Sequence, residues 1–410
     1  MFKRILSLSL RYIFLIFHRW LGVLLIVPVL LLSITGAILV FKTELDAWLN
    51  SDLMHINPSE AIRPISIERL EANIIFVYPQ AKISWFDLSA SKQYASVFWL
   101  AGTVDKTGQY QAPRHNQIFV NPYTGEVLGG RNWGDIKEPL VNLMPLIYRL
   151  HYSLLSGQKG SQLLGFLAIV WFVHILLGWH LTRPESTSET SKSKWALWLS
   201  YWRYKPGRSH FQKQYFLHRW LGLCLTPVML IFILSGLAFN LKPIYYGVLD
   251  LFLDRQTEHL NLSMSPAGQA KSMGWEKAVK TGEDLMAVLA QEKGFSVEQA
   301  EGLSYSSFKG LYMYRAQTSL DLSDDYIRTS IWFDGATGQQ ITHYLPTGFT
   351  TGDTLTHWVS ALHMGKVGWL SKVLVLLGAA GIFMLLFSGA KVGWIKWQAR
   401  RKKTCLSTGG

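Results

Sequence analysis

The chain has 410 residues, of which 16% are charged and 13% aromatic, and Lys plus Arg outnumber Asp plus Glu by 40 to 27, for a net charge of +13. Soluble domains average about 25% charged residues, so low charge density beside excess base excludes a disordered, collagenous or ordinary soluble chain. Two cysteines, Cys224 in an apolar run and Cys405 in a basic tail, exclude a disulfide framework and a thiolate zinc site.

Residues 1–41 pair a basic start with an apolar run over 20–41, close to the ~20 residues a helix needs to cross the hydrocarbon core. Lys3 and Arg4 imitate a secretory leader, but the run is too long for a cleaved core and predicts a retained helix. Residues 42–160 read as a first external α+β segment. Within it 67–76 has helical periodicity, 82–88 and 94–100 read as strands, and Asn121-Pro122-Tyr123-Thr124-Gly125 is a turn in which Gly supplies the positive φ. Leu150-His151 leads into the second apolar run, 163–181, within a membrane helix expected over 161–183. Residues 184–213, rich in Ser, Thr and Lys, read as a linker.

The third run, 220–239, lies in a helix expected over 214–240. A second external segment, 241–365, repeats the plan with a helix over 275–291, strands over 311–315 and 330–333, and the turn Asp334-Gly335-Ala336-Thr337-Gly338. Leu362-His363 then leads to the fourth run, 373–390, inside 366–410, which ends in a basic tail. Pro28 and Pro227 interrupt the first and third runs, as membrane helices tolerate.

Charge sets the expected topology. Residues 1–20, 183–219 and 391–403 carry +4, +6 and +6, so the remainder nets −3. Positive flanks stay cytoplasmic, which places both termini and the linker inside and both α+β segments outside. The basic balance is then a record of topology and not of a nucleic-acid partner.

The first and third runs are near copies. Phe17-His18-Arg19-Trp20-Leu21-Gly22 matches Leu217-His218-Arg219-Trp220-Leu221-Gly222 at an offset of 200, which also carries Thr35-Gly36 onto Ser235-Gly236. With the repeated turns and Leu-His entries, this predicts two parallel halves about an axis along the membrane normal, with a shared site between them. The expected fold is an α-helical integral membrane protein with four core transmembrane helices in two pseudo-symmetric halves and two extracytoplasmic α+β domains.

These repeated motifs resemble the PepSY-associated transmembrane proteins of Gram-negative bacteria, a family that includes iron-regulated membrane proteins and inner-membrane ferric-siderophore reductases. The resemblance covers residues 17 to 397. It implies periplasmic, PepSY-like external domains and a b-type haem protein carrying electrons across the inner membrane to periplasmic ferric chelates, with membrane lipid as its surroundings.

Twelve histidines carry the chemistry. His18 and His218 occupy matching positions at the cytoplasmic end of each half. Either alone reads as an interfacial side chain, but as a symmetric pair they suit the two faces of a haem, with Arg19 and Arg219 as possible propionate partners. His151 and His363 form a second pair at the periplasmic side. Their plain reading is a polar position on an interfacial helix, and their functional reading is a second haem. His174 and His180, inside the second run, and His357 are alternative ligands; His174 and His180 lie six apart, on different faces of a helix. His55, His115, His210, His259 and His343 have no repeat partner and read as solvent-exposed. No nucleotide or flavin signature occurs, so electrons would come from quinol or a separate reductase. The leading expectation is a haem b enzyme, with two haems, reducing a ferric siderophore. A haem-free scaffold or regulator that binds an envelope partner is the alternative, and the absence of Asp and Glu from the four runs weakens a secondary transporter.

Overall fold

Apolar runs flanked by basic residues become long helices in the computed structural model, which describes residues 2–56, 64–80, 82–89, 93–104, 109–183, 194–200, 202–203, 207–263, 272–323 and 328–408. Helix α1 (Phe2–Leu39) carries the first run. Its 38 residues span about 57 Å at 1.5 Å each, and its apolar part, Leu10–Leu39, runs unbroken through Pro28.

Further on come α2 (Lys42–Leu49), α3 (Ser51–Met54), α4 (Ile67–Val77) and α5 (Leu143–Ser153), then α6 (Gly157–Thr182), which carries the second run. The linker expected over 184–213 lies partly outside the described residues. Its described part holds α7 (Lys194–Ser200), tied back to α6 where Trp198 Nε1 donates to Thr182 Oγ1 at 3.1 Å.

The third run departs from expectation. Instead of one helix over 214–240 it forms α8 (His210–Cys224) and α9 (Thr226–Asn240), which meet at Leu225 with a 58° bend. Pro227 supplies the reason: it has no N–H to donate, and its ring collides with a helical carbonyl four residues back, so it is taken into the first turn of a new helix. The bend changes the neighbours, so that α8 packs on the last helix, α13 (Gly368–Thr408), while α9 packs on α6. Helix α1 lies against both α6 and α13. Among the described residues three helices, α1, α6 and α13, hold stretches long and apolar enough to cross a membrane, and the bent pair makes a fourth if it is one span. The remaining helices are α10 (Lys242–Leu249), α11 (Trp275–Lys293) and α12 (Thr351–Met364).

Both α+β segments place antiparallel strands after one helix. After α4 come β1 (Lys82–Asp87), β2 (Ser96–Ala101), a side ribbon of β3 (Thr103–Val104) and β4 (Tyr110–Gln111), then β5 (Gln117–Val120) and β6 (Val127–Arg131). After α11 come β7 (Val297–Ser306), β8 (Leu311–Thr318), β9 (Thr329–Asp334) and β10 (Gln340–Tyr344).

The two segments do not build two sheets. Strand β1 pairs antiparallel with β7 through Trp85↔Ser304, Phe86↔Leu303 and Asp87↔Gly302, which yields one eight-stranded sheet ordered β10-β9-β8-β7-β1-β2-β5-β6. That order reads the same from either end, as an approximate two-fold through the β1–β7 seam requires. Helices α4 and α11 cover one face and share a core. Phe86 is fully buried, with the Phe98 ring 4.8 Å away on its own side and Trp275 of the other half at 5.5 Å.

The matching turns form as the residue types predict. Asn121 Oδ1 accepts from the Tyr123 and Thr124 N–H groups, Asp334 Oδ1 from those of Ala336 and Thr337, and Gly125 and Gly338 take φ of +75° and +79°. Strand β6 is fastened to α2 by a buried ion pair. Arg131 Nη2 and Nη1 donate to the Asp46 carboxylate at 2.6 and 2.9 Å, Nε donates to Gln117 Oε1 at 2.7 Å, and Nη1 also donates to Val141 O at 2.7 Å.

Candidate functional site

Helix α1 positions two of the motif residues at two depths. His18 and Thr35 lie 17 residues apart on it, about 25 Å along the axis. Arg11 marks one end of the bundle by donating to Leu181 O at 2.8 Å and Arg183 O at 3.1 Å, where α6 terminates. His18 sits seven residues further in, about 10 Å deeper, and is therefore inside the helical bundle and not at its rim.

At that inner level the structure brings His18 and His218 together, with ring centroids 6.3 Å apart. Each ring is fixed in the same way by the second helix of its half. His18 Nδ1 donates to His174 O at 3.3 Å, and His218 Nδ1 donates to Leu385 O at 3.0 Å. A carbonyl only accepts, so both rings carry their proton on Nδ1 and keep the lone pair on Nε2. Four residues beyond each of those carbonyls comes a glycine, Gly178 or Gly389, against which the ring lies; a Cβ there would fall 3.2 Å from His18 Cε1 or 2.8 Å from His218 Cε1. The absent side chains are what let the imidazoles enter between the helices.

At the outer level His151 of α5 and His363 of α12 are also brought together, with centroids 6.1 Å apart. The offset-200 pair Thr35 and Ser235 anchors them. Thr35 Oγ1 donates to Leu31 O at 2.8 Å and accepts from His151 Nδ1 at 2.8 Å, while Ser235 Oγ donates to Ile231 O at 2.6 Å and accepts from His363 Nδ1 at 2.6 Å. A hydroxyl has one proton, and with it committed to the backbone the imidazole must donate. Nε2 is again the nitrogen left with a lone pair.

The reserve histidines separate. His174 joins the inner cluster, stacked on His18 at 4.1 Å with the planes 2° from parallel. His180 turns elsewhere and meets Phe14 edge-on at 4.9 Å. His357, fully buried on α12, spends its Nε2 accepting the Leu322 N–H at 3.2 Å, which ties α12 to the segment after β8. Burial first, and the neighbouring Arg328 second, hold its imidazole down to about 4, so it is neutral at pH 7. Arg19 follows His18 half-buried, and Arg219 lies over the Phe216 ring at 5.1 Å.

The histidines read as solvent-exposed are in part otherwise engaged. His115 Nδ1 bonds the Tyr78 hydroxyl at 2.8 Å, and His259 stacks on Trp332 at 5.8 Å. The roles of Thr35, Ser235, Gly178 and Gly389 were not read from the sequence. The first two belonged to the visible offset-200 repeat, whereas the glycines belong to a second offset, 211 residues, that relates only α6 and α13.

Among the described residues, no group of three or more His, Cys, Asp and Glu comes close enough to hold a bare metal ion. What the fold offers is two pairs of imidazole nitrogens, one pair at each level.

The model of the PepSY-associated transmembrane region matches residues 15–396, nearly the whole chain, and the protein belongs to that family. It is thereby a membrane-associated protein whose helices and sheet together make up the matched region. No curated protein matches the chain.

Proposed function

We propose that this chain is an inner-membrane di-haem b protein that reduces a ferric chelate, a ferric siderophore being the expected one, at the periplasmic face. In this reading α1, α6, the bent α8–α9 pair and α13 are four spans, the two α4- and α11-headed halves are PepSY-like domains, and both termini are cytoplasmic. One observation carries the proposal: two symmetric histidine pairs at two depths, each ring with Nδ1 hydrogen-bonded and Nε2 left as donor.

The donor chemistry fits haem. Two imidazoles supply only two ligands, so a metal held by a pair needs its remaining ligands from a macrocycle. The 6.3 and 6.1 Å centroid separations put both imidazoles of each pair within reach of one shared group. Bound haem would supply reversible one-electron chemistry.

The rest falls to the chain's own residues. His18 and His218 would hold the inner group and His151 and His363 the outer one. Thr35, Ser235 and the carbonyls of His174 and Leu385 fix tautomer and ring orientation, as partners behind metal-bound histidines do. About 25 Å along α1 separates the levels, so one group cannot serve both pairs. The electron donor is quinol or a separate reductase.

Reduced-minus-oxidised spectra of purified His18→Ala, His218→Ala, His151→Ala and His363→Ala test the reading. The first two should lose one b-type signal and the last two another. Wild-type protein that is colourless when made in haem-replete cells would discard the reductase and leave the haem-free scaffold. Reporter fusions within 184–193 and at the C-terminus should report cytoplasm.

A further inference from the structure

The face of the sheet turned away from α4 and α11 carries a shallow, widely open cavity lined by Ser84, Trp85, Trp99, Glu301 and Arg315. The cavity straddles the β1–β7 seam, so each half contributes part of its wall and neither half alone would form it.

Its residues are arranged with some care. Trp85 and Trp99 face each other across β1 and β2 as cross-strand partners. Gly302 gives the Trp85 indole its place, since a Cβ there would fall 2.2 Å from Trp85 Cζ2. The Arg315 guanidinium lies over the Trp85 ring at 5.1 Å, and its Nη2 donates to both Glu301 carboxylate oxygens, at 2.9 and 3.2 Å. Glu301 also accepts from Arg328 Nε at 3.2 Å. The carboxylate thus orients two guanidinium groups, and Arg315 Nε and Nη1 make no hydrogen bond to any described residue.

A line of rings joins this cavity to the outer histidines. Trp99 is 6.1 Å from Trp133, and Trp133 is 6.1 Å from Tyr148. Tyr148 precedes His151 by three residues on α5, so the two are neighbours on one helix face.

We infer that this cavity docks the ferric chelate, and that it selects an anionic chelate whose iron-binding groups are aromatic, of the catecholate type. The inference rests on the reductase reading above. Flat indole faces stack on aromatic rings. A guanidinium with free donors makes charge-assisted, paired hydrogen bonds to anionic oxygens and only weaker ones to a neutral complex. A hydroxamate chelate offers neither the ring nor the net negative charge.

The test is equilibrium dialysis of the purified full chain in detergent against two hexadentate iron(III) complexes, a trianionic tris-catecholate and a neutral tris-hydroxamate. Wild type should bind the catecholate complex about tenfold or more tighter. Arg315→Gln and Trp99→Leu should each erase most of that preference, with the haem-to-protein ratio and the thermal melting curve unchanged. Equal affinity for the two complexes, preference for the hydroxamate, or no binding of either by wild type overturns the inference without reference to any variant. The two readings fail separately. Selective catecholate binding by a preparation that takes up no haem sinks the reductase and keeps the docking site, whereas a haem-loaded protein without the preference sinks the docking site alone.

Discussion

His18 and His174 lie ring on ring, 4.1 Å apart and within 2° of parallel, although α1 and α6 bring them from positions 156 residues apart. The other half has no such stack. There Leu385 occupies the corresponding place, giving its carbonyl to His218 as His174 gives its own to His18. The symmetric elements are therefore the two rings on α1 and α8, and His174 is an addition peculiar to one half. His174→Leu, which copies the second half, should leave the haem-to-protein ratio at the wild-type value and shift only the midpoint potential of the inner signal. Loss of that signal in His174→Leu together with its survival in His18→Ala would make His174 the ligand.

Thr35→Val and Ser235→Ala each remove the hydroxyl that accepts from an outer imidazole while leaving the ring in place. Partners of this kind tune metal affinity by roughly 10–100-fold. Haem titration of apo-protein should show weakening of that size at the outer site only. Unchanged affinity in both variants would mean the hydroxyls do not orient the ligands.

The Arg131–Asp46 pair is buried to within a few per cent of full enclosure, at 3% and 6% side-chain exposure. Removing one partner strands a charge away from water, at a cost of about 3–5 kcal/mol. Asp46→Ala or Arg131→Leu should lower the melting temperature of the eight-stranded sheet and open it to protease, while the long apolar helices stay protected. A melting curve unmoved by either change would contradict the buried assignment.

His357 makes stability depend on pH. Its folded-state value of about 4 lies below the ordinary 6.5, so below pH 6.5 the unfolded chain takes up a proton that the folded chain refuses. Stability is therefore lost as pH falls from 6.5 toward 4, by about 3 kcal/mol in full. Burial raises the nearby Asp321 carboxyl and acts in the opposite sense, so the comparison must be between variants. His357→Gln keeps an acceptor for the Leu322 N–H and cannot charge. Its melting temperature should fall less than that of wild type between pH 7 and pH 4, and identical slopes would refute the assignment.

Much of this arrangement was legible before any coordinates. The His-Arg-Trp-Leu-Gly repeat and the two Leu-His entries point to the four histidines that the fold pairs, because symmetry fixes depth as well as identity. Helix α4 and strands β1, β2, β8 and β9 fall within a few residues of their periodic patterns. Strand β7 escaped notice because Val297–Ser306 is polar and carries Gly302, the opposite of an apolar alternation. Its place is set by the partner strand β1 and by the indole of Trp85, which are long-range facts. The bend at Leu225 is hidden in the sequence for a similar reason, since Pro28 and Pro227 look alike there and only the second ends a helix.

The seam between β1 and β7 has a consequence for the origin of the chain. Cut into halves, the protein would leave each of these strands as an open edge with unpaired backbone groups, the kind of edge that recruits another strand. A half-length ancestor, with four strands in its sheet and one helix covering them, would have closed that edge by pairing with a second copy of itself about a two-fold axis. The duplicated chain fuses what such a homodimer would have assembled. It also frees the two copies to diverge, so that His174 and the bend at Leu225 can each exist on one side only.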